Sequence, residues 1–593
     1  MVSDEYTGSS LQDSTGEDLQ RPRLRKLPSR ILSGLFGGHL KDRVRTMRRG
    51  AAQGQHNSKE GDTQVQSRQP SGPHINDLPD ELFLEIFDQL HAATFCAGNI
   101  HRHTLSEWLH YIHVCTRWRY IIVSVPSFWR AIPIVRNLKA LRFFVPLRGN
   151  VPLEIHFGDV QALQPQILED LRTHLPEIRL LTVTLSSLDF QNDPLDDLLS
   201  MEMPALEELH VLPRVVLNPD ARIHAPFKMQ QFPRLRHLEL HRLICPSDMS
   251  NLTTLHLYAC VWSISFDNFI AALGRCSQLV ELHLDQSLHP LHLTAPRGGS
   301  HPQKRPAYLP RLRSLIIEDY SPDLISAVLA HVTTPSIKSV RTICYATRPR
   351  RDDNGDLITS ESLLRPLLPY DPFDIQLAVN SAPATARIST REDMCTLTVT
   401  STEGHCSSNI SVSGRFDREW THVVPSAMHD LADVFSGAKI TALVIQASSY
   451  YILPTDWKKL FNALPSLDTL DLTSSGTWTA MWQGLHRAGL LAATPEVVGC
   501  PQLATVRIRH ISRPEDNYPA PPDENDLQVI KDTLRWRALH GARLKHLSWS
   551  MCSSEHAGYD VARKRFLDEL GPFVDGTVAY EDLSAVQQPE LGR

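Results

Sequence analysis

Between Pro176 and Trp549 one short phrase returns eleven times. It reads PEIRLLTV (176–183), PALEELHVL (204–212), PRLRHLEL (233–240), NLTTLHLYAC (251–260), SQLVELHLD (277–285), PRLRSLIIED (310–319) and PSIKSVRTI (335–343), and later ITALVIQ (440–446), PSLDTLDL (465–472), PQLATVRI (501–508) and ARLKHLSW (542–549). Each fits Leu-x-x-Leu-x-Leu/Val/Ile, and its alternating end is the pattern of a short strand. In PRLRHLEL, Leu238 and Leu240 then point to one face, and His237, Glu239 and His241 to the other. A unit this short cannot bury its own apolar face, so the copies must stack, which commits most of the chain to an array of parallel strands.

Measured between the first apolar positions, the copies follow one another by 28 residues (Ile178 to Leu206), 29 (to Leu235), 17 (to Leu252), 27 (to Leu279), 33 (to Leu312) and 25 (to Ile337). In phrase and period the array resembles degenerate leucine-rich repeats, whose coils run to about 20–29 residues. FDNFIAALGRC (266–276) and SPDLISAVLAHV (321–332), lying between copies, have helical spacing and suit an outer layer. VPLEIHF (151–157) alternates like one more strand, and GYDVARKRFLDELGPFV (558–574) like a terminal helix that caps the last coil. Residues 344–439 lack the full phrase. RPRRDDNGDLITSES (348–362) reads as an exposed loop, and IQLAV (375–379) and CTLTVTS (395–401) as strands, either of an irregular insert in the array or of a small separate domain.

Ahead of the array, LPDELFLEIFDQL (78–90) places Leu82, Phe83, Ile86, Phe87 and Leu90 on one side of a helix. Asp80, Glu81, Glu85 and Asp88 hold the other side, gathered toward the N-terminus where the helix dipole favours negative charge. Pro79, with no amide hydrogen and a preset φ, belongs at the helix start. In 105–129 one stripe is Leu105, Trp108, Leu109 and Ile112, and a second is Val114, Cys115, Trp118, Ile121 and Ile122, before Pro126 ends the run. Three helices in about 50 residues bury too little surface to stand comfortably alone.

Leu78-Pro79, the acidic-flanked helix 81–90, Val114-Cys115-Thr116-Arg117-Trp118 and Phe128-Trp129, in that order, resemble the F-box family. The resemblance implies a small helical module that docks on the Skp adaptor of a cullin-RING ubiquitin ligase, with the rest of the chain choosing the target. It implies Leu78, Pro79, Leu82, Ile86, Val114, Cys115 and Trp118 as adaptor-binding residues, with Trp118 serving either that interface or the module's own packing. Leu78 to Trp118 spans 40 positions, about a dozen more than the compact form of the family. The surplus falls in residues 91–104, read as an enlarged loop after the first helix, at little entropic cost because closure entropy grows only logarithmically.

The expected architecture is therefore α/β: a disordered tail (1–74) with a basic segment (21–50), a three-helix F-box-like module (75–132), an irregular leucine-rich-repeat solenoid (150–575) with its insert at 344–439, and a C-terminal tail (576–593). The tail is acidic over residues 1–20 and carries ten Lys or Arg against Asp42 over 21–50. The first fifty residues thus sum to 10 − 6 = +4, and the body to −10 within the net −6. The basic segment reads as a solvated tail, with nuclear import, a membrane-surface helix or organelle targeting as alternatives. An acidic body does not suit nucleic acid. No eighteen-residue apolar run and no signal-peptide core is visible, so no membrane association is expected, and the ten scattered cysteines, with no Cys-x-x-Cys, suit a reducing compartment, cytoplasm or nucleus.

No phosphate-loop, dinucleotide, zinc-protease or nucleophile-elbow motif occurs, and no catalytic residue or cofactor is expected. Cys96, His101, His103, His110, His113 and Cys115 are zinc-ligand types within twenty residues, but their spacing is not that of paired ligands, and solvated or core histidines are the expectation, with no metal. The expected role is a substrate receptor of a ubiquitin ligase whose target the sequence does not name. The other reading is a ligase-independent leucine-rich-repeat scaffold for protein partners.

Overall fold

The computed structural model describes residues 75–95, 104–134, 139–158, 165–185, 194–213, 228–245, 248–262, 264–288, 291, 306–345, 367, 382–391, 394–402, 407–413, 423–447, 452–474, 478–489, 498–510, 522–551 and 559–582. The expected tail 1–74, the loop 348–362 and the strand 375–379 lie outside them. The chain divides into two compact units, 1–86 and 87–593. The described part of the first is a 3-10 turn, Ile75–Asp77, and the opening of helix α1 (Asp80–Thr94), where the Leu78 N–H donates to Ile75 O at 3.2 Å. Phe83 is fully buried and Leu82 is 44% exposed.

Helix α1 continues to Thr94, beyond the point where the sequence suggested a loop. Its last turn carries His91, which is buried with its ring 5.0 Å from that of Trp108 and 5.7 Å from that of Phe128, and the Thr94 hydroxyl donates to Leu90 O at 2.6 Å. Residues formally polar by type thus prolong the helix by packing as aromatics do. Helices α2 (Thr104–Ile112) and α3 (Thr116–Ser124) follow as expected. Their buried side chains, Trp108, Ile112, Ile121 and Ile122, are those of the two stripes.

From Ala131 onward the second unit is a mixed α/β structure built on one large, mostly parallel sheet. Its strands are β1 (Ala131–Ile134), β2 (Leu153–Phe157), β3 (Ile178–Leu185), β4 (Glu208–Pro213), β5 (His237–His241), β6 (Thr254–Tyr258) and β7 (Glu281–Asp285). After the short β8 (Ala307–Tyr308) come β9 (Ser314–Asp319), β10 (Val332–Thr333) and β11 (Ser339–Tyr345). Then follow β12 (Ala384–Arg391), β13 (Met394–Ser401), β14 (Ser407–Ser413), β15 (Ile440–Gln446), β16 (Thr469–Ser474), β17 (Thr505–His510), β18 (Leu544–Met551) and β19 (Val574–Asp582). All eleven phrases fall on strands.

Strands β1 to β7, β9 and β11 lie side by side in chain order, each parallel to the last, while β8 and β10 pair only with each other. At β11 the order breaks. β14 lies beside β11, the antiparallel β13 beside β14, and β12 beside β13, and β12 then pairs in parallel with β15. From β15 to β19 chain order resumes. The stretch without the full phrase thus supplies three strands of the same sheet, and β19 runs past residue 575.

Register explains the burial. Ile155, Leu181, Leu209, Leu238, Leu255 and Leu282 are paired neighbours in one row, and Phe157, Val183, Val211, Leu240, Leu257 and Leu284 in the next, all at most 1% exposed. Each such side chain contributes roughly 1.5–3 kcal/mol of burial. Residues between them alternate to the half-exposed face.

The chain leaves β5, β6 and β7 in the same way. Arg242, Ala259 and Gln286 have φ of 61°, 52° and 49°, and their N–H groups donate to Tyr258 O, Asp285 O and Glu318 O at 2.9, 2.6 and 2.6 Å. None is glycine, so each left-handed turn costs about 1 kcal/mol. Buried polar side chains fasten the turns. Ser287 Oγ accepts from Cys260 N at 3.1 Å and donates to Leu257 O at 3.1 Å, and Asp319 accepts from Leu288 N at 3.0 Å and Ser321 N at 3.1 Å.

Between β14 and β19 the connections are long enough for helices, Val423–Val434, Pro454–Ala463, Thr479–Gly489, Glu524–Leu539 and Tyr559–Leu570, each packed on the next. Arg537, fully buried, donates to Gly499 O, Cys500 O and Leu503 O at 2.8–3.2 Å, so the carbonyls of an irregular segment are satisfied inside the core. Among the described residues no helix is long and apolar enough to cross a membrane.

Gly484 lies where its helix packs on Pro454–Ala463: a Cβ there would collide with the Trp457 side chain and lie 2.8 Å from Pro454 O. Mid-helix Gly→Ala ordinarily gains about 1 kcal/mol, but overpacking against backbone costs about 1–3 kcal/mol. Gly484→Ala is therefore expected to lower the urea midpoint. An unchanged or raised midpoint would mean that the two helices can part at no cost.

Candidate functional site

The residues singled out by the F-box resemblance fall in both units. In the first, Leu78 and Ile86 are half-buried, Pro79 is exposed and Leu82 is 44% exposed, next to the fully buried Phe83. Apolar side chains of helix α1 thus divide between core and solvent, instead of all turning inward as one stripe.

In the second unit Val114 is 57% exposed and Cys115 half-buried. Cys115 has a structural task, since it is the N-cap of α3 and its Sγ accepts from Trp118 N at 3.5 Å. A thiol stands where Ser, Thr or Asp would ordinarily serve. Trp118 is half-buried, with its ring edge-on to Phe87 at 5.1 Å, so it contributes packing. Arg119 Nε donates to Ile112 O at 3.0 Å, and Trp129 Nε1 to Ile122 O at 2.9 Å, which ties α3 to its neighbours in sequence. Of the zinc-ligand types, His110 and His113 are exposed, while Cys96, His101 and His103 lie outside the described residues. Among the described residues no three His, Cys, Asp or Glu side chains are grouped so as to hold a metal.

A second concentration of chemistry lies on the half-exposed face of the sheet, and sequence reasoning identified only a part of it, the outward His237, Glu239 and His241. Register brings His210, Glu239, His256 and His283 into one row across β4 to β7, and His241, Tyr258, Asp285 and Glu318 into another across β5 to β9. Glu239 links His210 at 2.9 Å with His241 at 3.3 Å, and His210 also lies 3.8 Å from Glu208. The His241 ring stacks on Tyr258 at 4.1 Å and 9°. The Tyr258 hydroxyl is 3.1 Å from His283 Nδ1, His283 lies 3.8 Å from Glu318, and the Tyr345 hydroxyl donates to Glu318 at 2.6 Å. The signal available in the sequence was the recurrence of histidine at the variable position inside Leu-x-Leu or Leu-x-Val in copies far apart along the chain, at His210, His256 and His283.

These contacts set the charge states. Burial works against protonating His210, but hydrogen bonds to Glu208 and Glu239 and their charges outweigh it and lift the imidazole to about 9. Glu239 is correspondingly held well below the usual carboxylate range: burial opposes this, and its bonds to His210 and His241 prevail. Burial, with Glu318 and Asp319 nearby, pushes Asp285 up to about 6. His283 is lowered, chiefly by burial. Burial and the charges of Glu239, Asp285, Glu318 and Glu281 push Tyr258 up to about 12. Of the carboxylates on this face, Glu208 and Glu239 are engaged with histidine side chains and Glu318 with the Tyr345 hydroxyl.

No protein-family model matches the sequence, and no curated protein matches it. The F-box likeness rests on the residues named above.

His91 and His156 carry a pH signature of their own. Burial lowers His91 from 6.5 to about 4 and His156 to about 3, and buried ring nitrogens of both lack hydrogen-bond partners. Below pH 6.5 the unfolded chain takes up protons that the folded chain refuses, so stability present above that pH is lost on acidification toward 4 and 3. Between pH 7 and 5 each is expected to cost roughly 2 kcal/mol. His91→Leu should shrink the difference between urea midpoints at those two pH values. An unchanged difference would assign the acid sensitivity elsewhere.

Proposed function

We propose that this chain is a substrate-receptor subunit of a Skp-cullin-F-box ubiquitin ligase, in which the helical segment docks the adaptor and the sheet holds the target. The observation that carries the proposal is Leu82. It occupies the apolar side of an amphipathic helix at a position of the F-box pattern, yet it is 44% exposed while its neighbour Phe83 is fully buried. Exposed apolar groups scattered singly need no explanation, but Pro79 is exposed in the same unit, and Val114 and Tyr120, at 57% and 73%, in the other. A covered Leu82 would have argued for a helix that merely caps its own chain.

In this reading the chain does no chemistry. It raises the effective concentration of a target lysine near ubiquitin carried by the ligase, as linked binding sites do when a span lets both be occupied together. Leu78, Pro79, Leu82, Ile86 and Val114 supply apolar contact. Cys115 shapes the turn that presents Val114, and Trp118 supports it by packing. The alternating face of the sheet offers side chains from many strands to a folded or extended partner, which suits recognition of a protein more than of a small molecule.

Co-purification with the Skp adaptor tests the proposal. Wild type is expected to carry it, and Leu82→Ala to weaken binding by about 2 kcal/mol, some 30-fold. Leu78→Ala with Pro79→Ala should abolish capture while the circular dichroism and urea midpoint stay close to wild type. Adaptor retained by this folded double variant would overturn the assignment of the site. A wild type that captures other proteins but no adaptor would make the chain a scaffold independent of any ligase.

A further inference from the structure

Across β4, β5, β6, β7 and β9 the sheet has three outward positions per strand. Five of these fifteen are carboxylates: Glu208, Glu239, Glu281, Asp285 and Glu318. Five more are histidines, at 210, 237, 241, 256 and 283, one is Tyr258, and not one is Lys or Arg. Within the rows the neighbouring strands bring Arg179 on β3 and Arg341 on β11 at the two margins, while Arg236, Arg242 and Arg313 stand at the ends of β5 and β9. Such a composition is unusual for a half-exposed surface, where both signs are normally interspersed.

Charge on this face is only partly balanced from within. His210 carries a proton between Glu208 and Glu239, and Arg341 stands 3.8 Å from Glu318. Among the described residues Asp285 has no cationic partner: one of its carboxylate oxygens is buried without a hydrogen bond, its charged neighbours are Glu318 and Asp319, and its hydrogen bond comes from Gln286. At the centre the Tyr258 ring, stacked on His241 and edge-on to His283 at 4.9 Å, lies among those carboxylates, an aromatic surface ringed by negative charge. That pairing of π-face and carboxylates is what a lysine ammonium or arginine guanidinium binds best.

We propose that the β4–β9 face is the docking surface for a lysine- and arginine-rich segment of the target protein. The inference rests on the reading that the sheet holds the target, and it adds the chemical class of what is held. Charge complementarity selects this occupant. A second copy of the chain would oppose carboxylate to carboxylate, an acidic peptide likewise, and a nucleic acid or anionic membrane would be repelled. The cationic side chains would lie along the rows, with aliphatic stems against the imidazole and tyrosine rings and charged heads at Glu239, Asp285, Glu281 and Glu318.

The test uses the full chain and three fluorescent peptides of equal length, one rich in Lys and Arg, one rich in Glu, one uncharged, followed by anisotropy. The basic peptide is expected to bind at least tenfold tighter than the other two and to weaken as salt rises from about 50 to 300 mM, as screening requires. The triple variant Glu239→Gln, Asp285→Asn, Glu318→Gln should lose at least tenfold, while Arg507→Gln with Arg509→Gln, on β17 of the same sheet, should not. Should the triple variant fail to fold, Glu281→Gln, whose side chain is 42% exposed, must still weaken binding several-fold. Equal binding of the acidic or uncharged peptide, or retention by the folded acidic-face variants, overturns the inference. Leu78→Ala with Pro79→Ala must leave peptide binding unchanged, which separates the two readings. Adaptor capture without basic-peptide binding sinks this inference alone, and peptide binding without adaptor capture sinks only the ligase assignment.

Discussion

Two rows of apolar side chains must stay in step from strand to strand, and the long sheet exists only while they do. Leu255 faces Leu238 and Leu282, and Leu257 faces Leu240 and Leu284, so each strand is buried by its neighbours and none by itself. A slip of one residue would send both leucines to the solvent face and bring a residue such as His256 into the core, a change of several kcal/mol per strand. The left-handed exits at Arg242, Ala259 and Gln286 hold that register at the strand ends by extending the ladder one bond further. Their backbone cost is small beside the apolar burial that would be lost without them.

Because the register is carried by a six-residue phrase, the chain between phrases is free to vary, and its length decides the outer layer. The 17 positions from Leu235 to Leu252 leave room only for turns, whereas Asp471 and Arg507, paired residues 36 apart, leave room for the Thr479–Gly489 helix with its buried Trp482. Residues 384–413 show how far this tolerance goes. Strands β12, β13 and β14 enter the sheet out of order, β13 antiparallel, and still align Ile410, Leu397 and Ile388 in one buried row that continues to Ile445 on β15.

The same alternation that builds the core makes the open face a display. Whatever residue stands at the variable place of one phrase comes beside its counterpart from the next, so His210, Glu239, His256 and His283, widely separated in the chain, become one row. A face of this kind can change its chemistry residue by residue without touching the fold. The helical segment is constrained differently, since there Phe87, Trp108 and Ile122 hold the core, and an exposed Leu82 or Val114 has no packing reason to be apolar.

How much of this was legible in advance follows from the range of the interactions. Strand phrases, the helix over 80–90, the helical stripes within 105–112 and 116–124, and the inward place of Leu238 and Leu240 depend on neighbours two to four residues away, and the sequence alone determined them, whereas the extension of the first helix to Thr94 needed distant packing. Strand β1 at Ala131–Ile134, the out-of-order β12 to β14 and the last strand Val574–Asp582 lack the full phrase, and only pairing with distant chain makes them strands. For the same reason Cys115 could be assigned by its motif but not as the cap that holds Trp118 N, and His91 could be taken for a loop residue until Trp108 and Phe128 closed around it. The sequence supplied the residues of the acidic, histidine-rich face, and the tertiary structure alone made them neighbours, because parallel pairing, not chain distance, sets which side chains share a row.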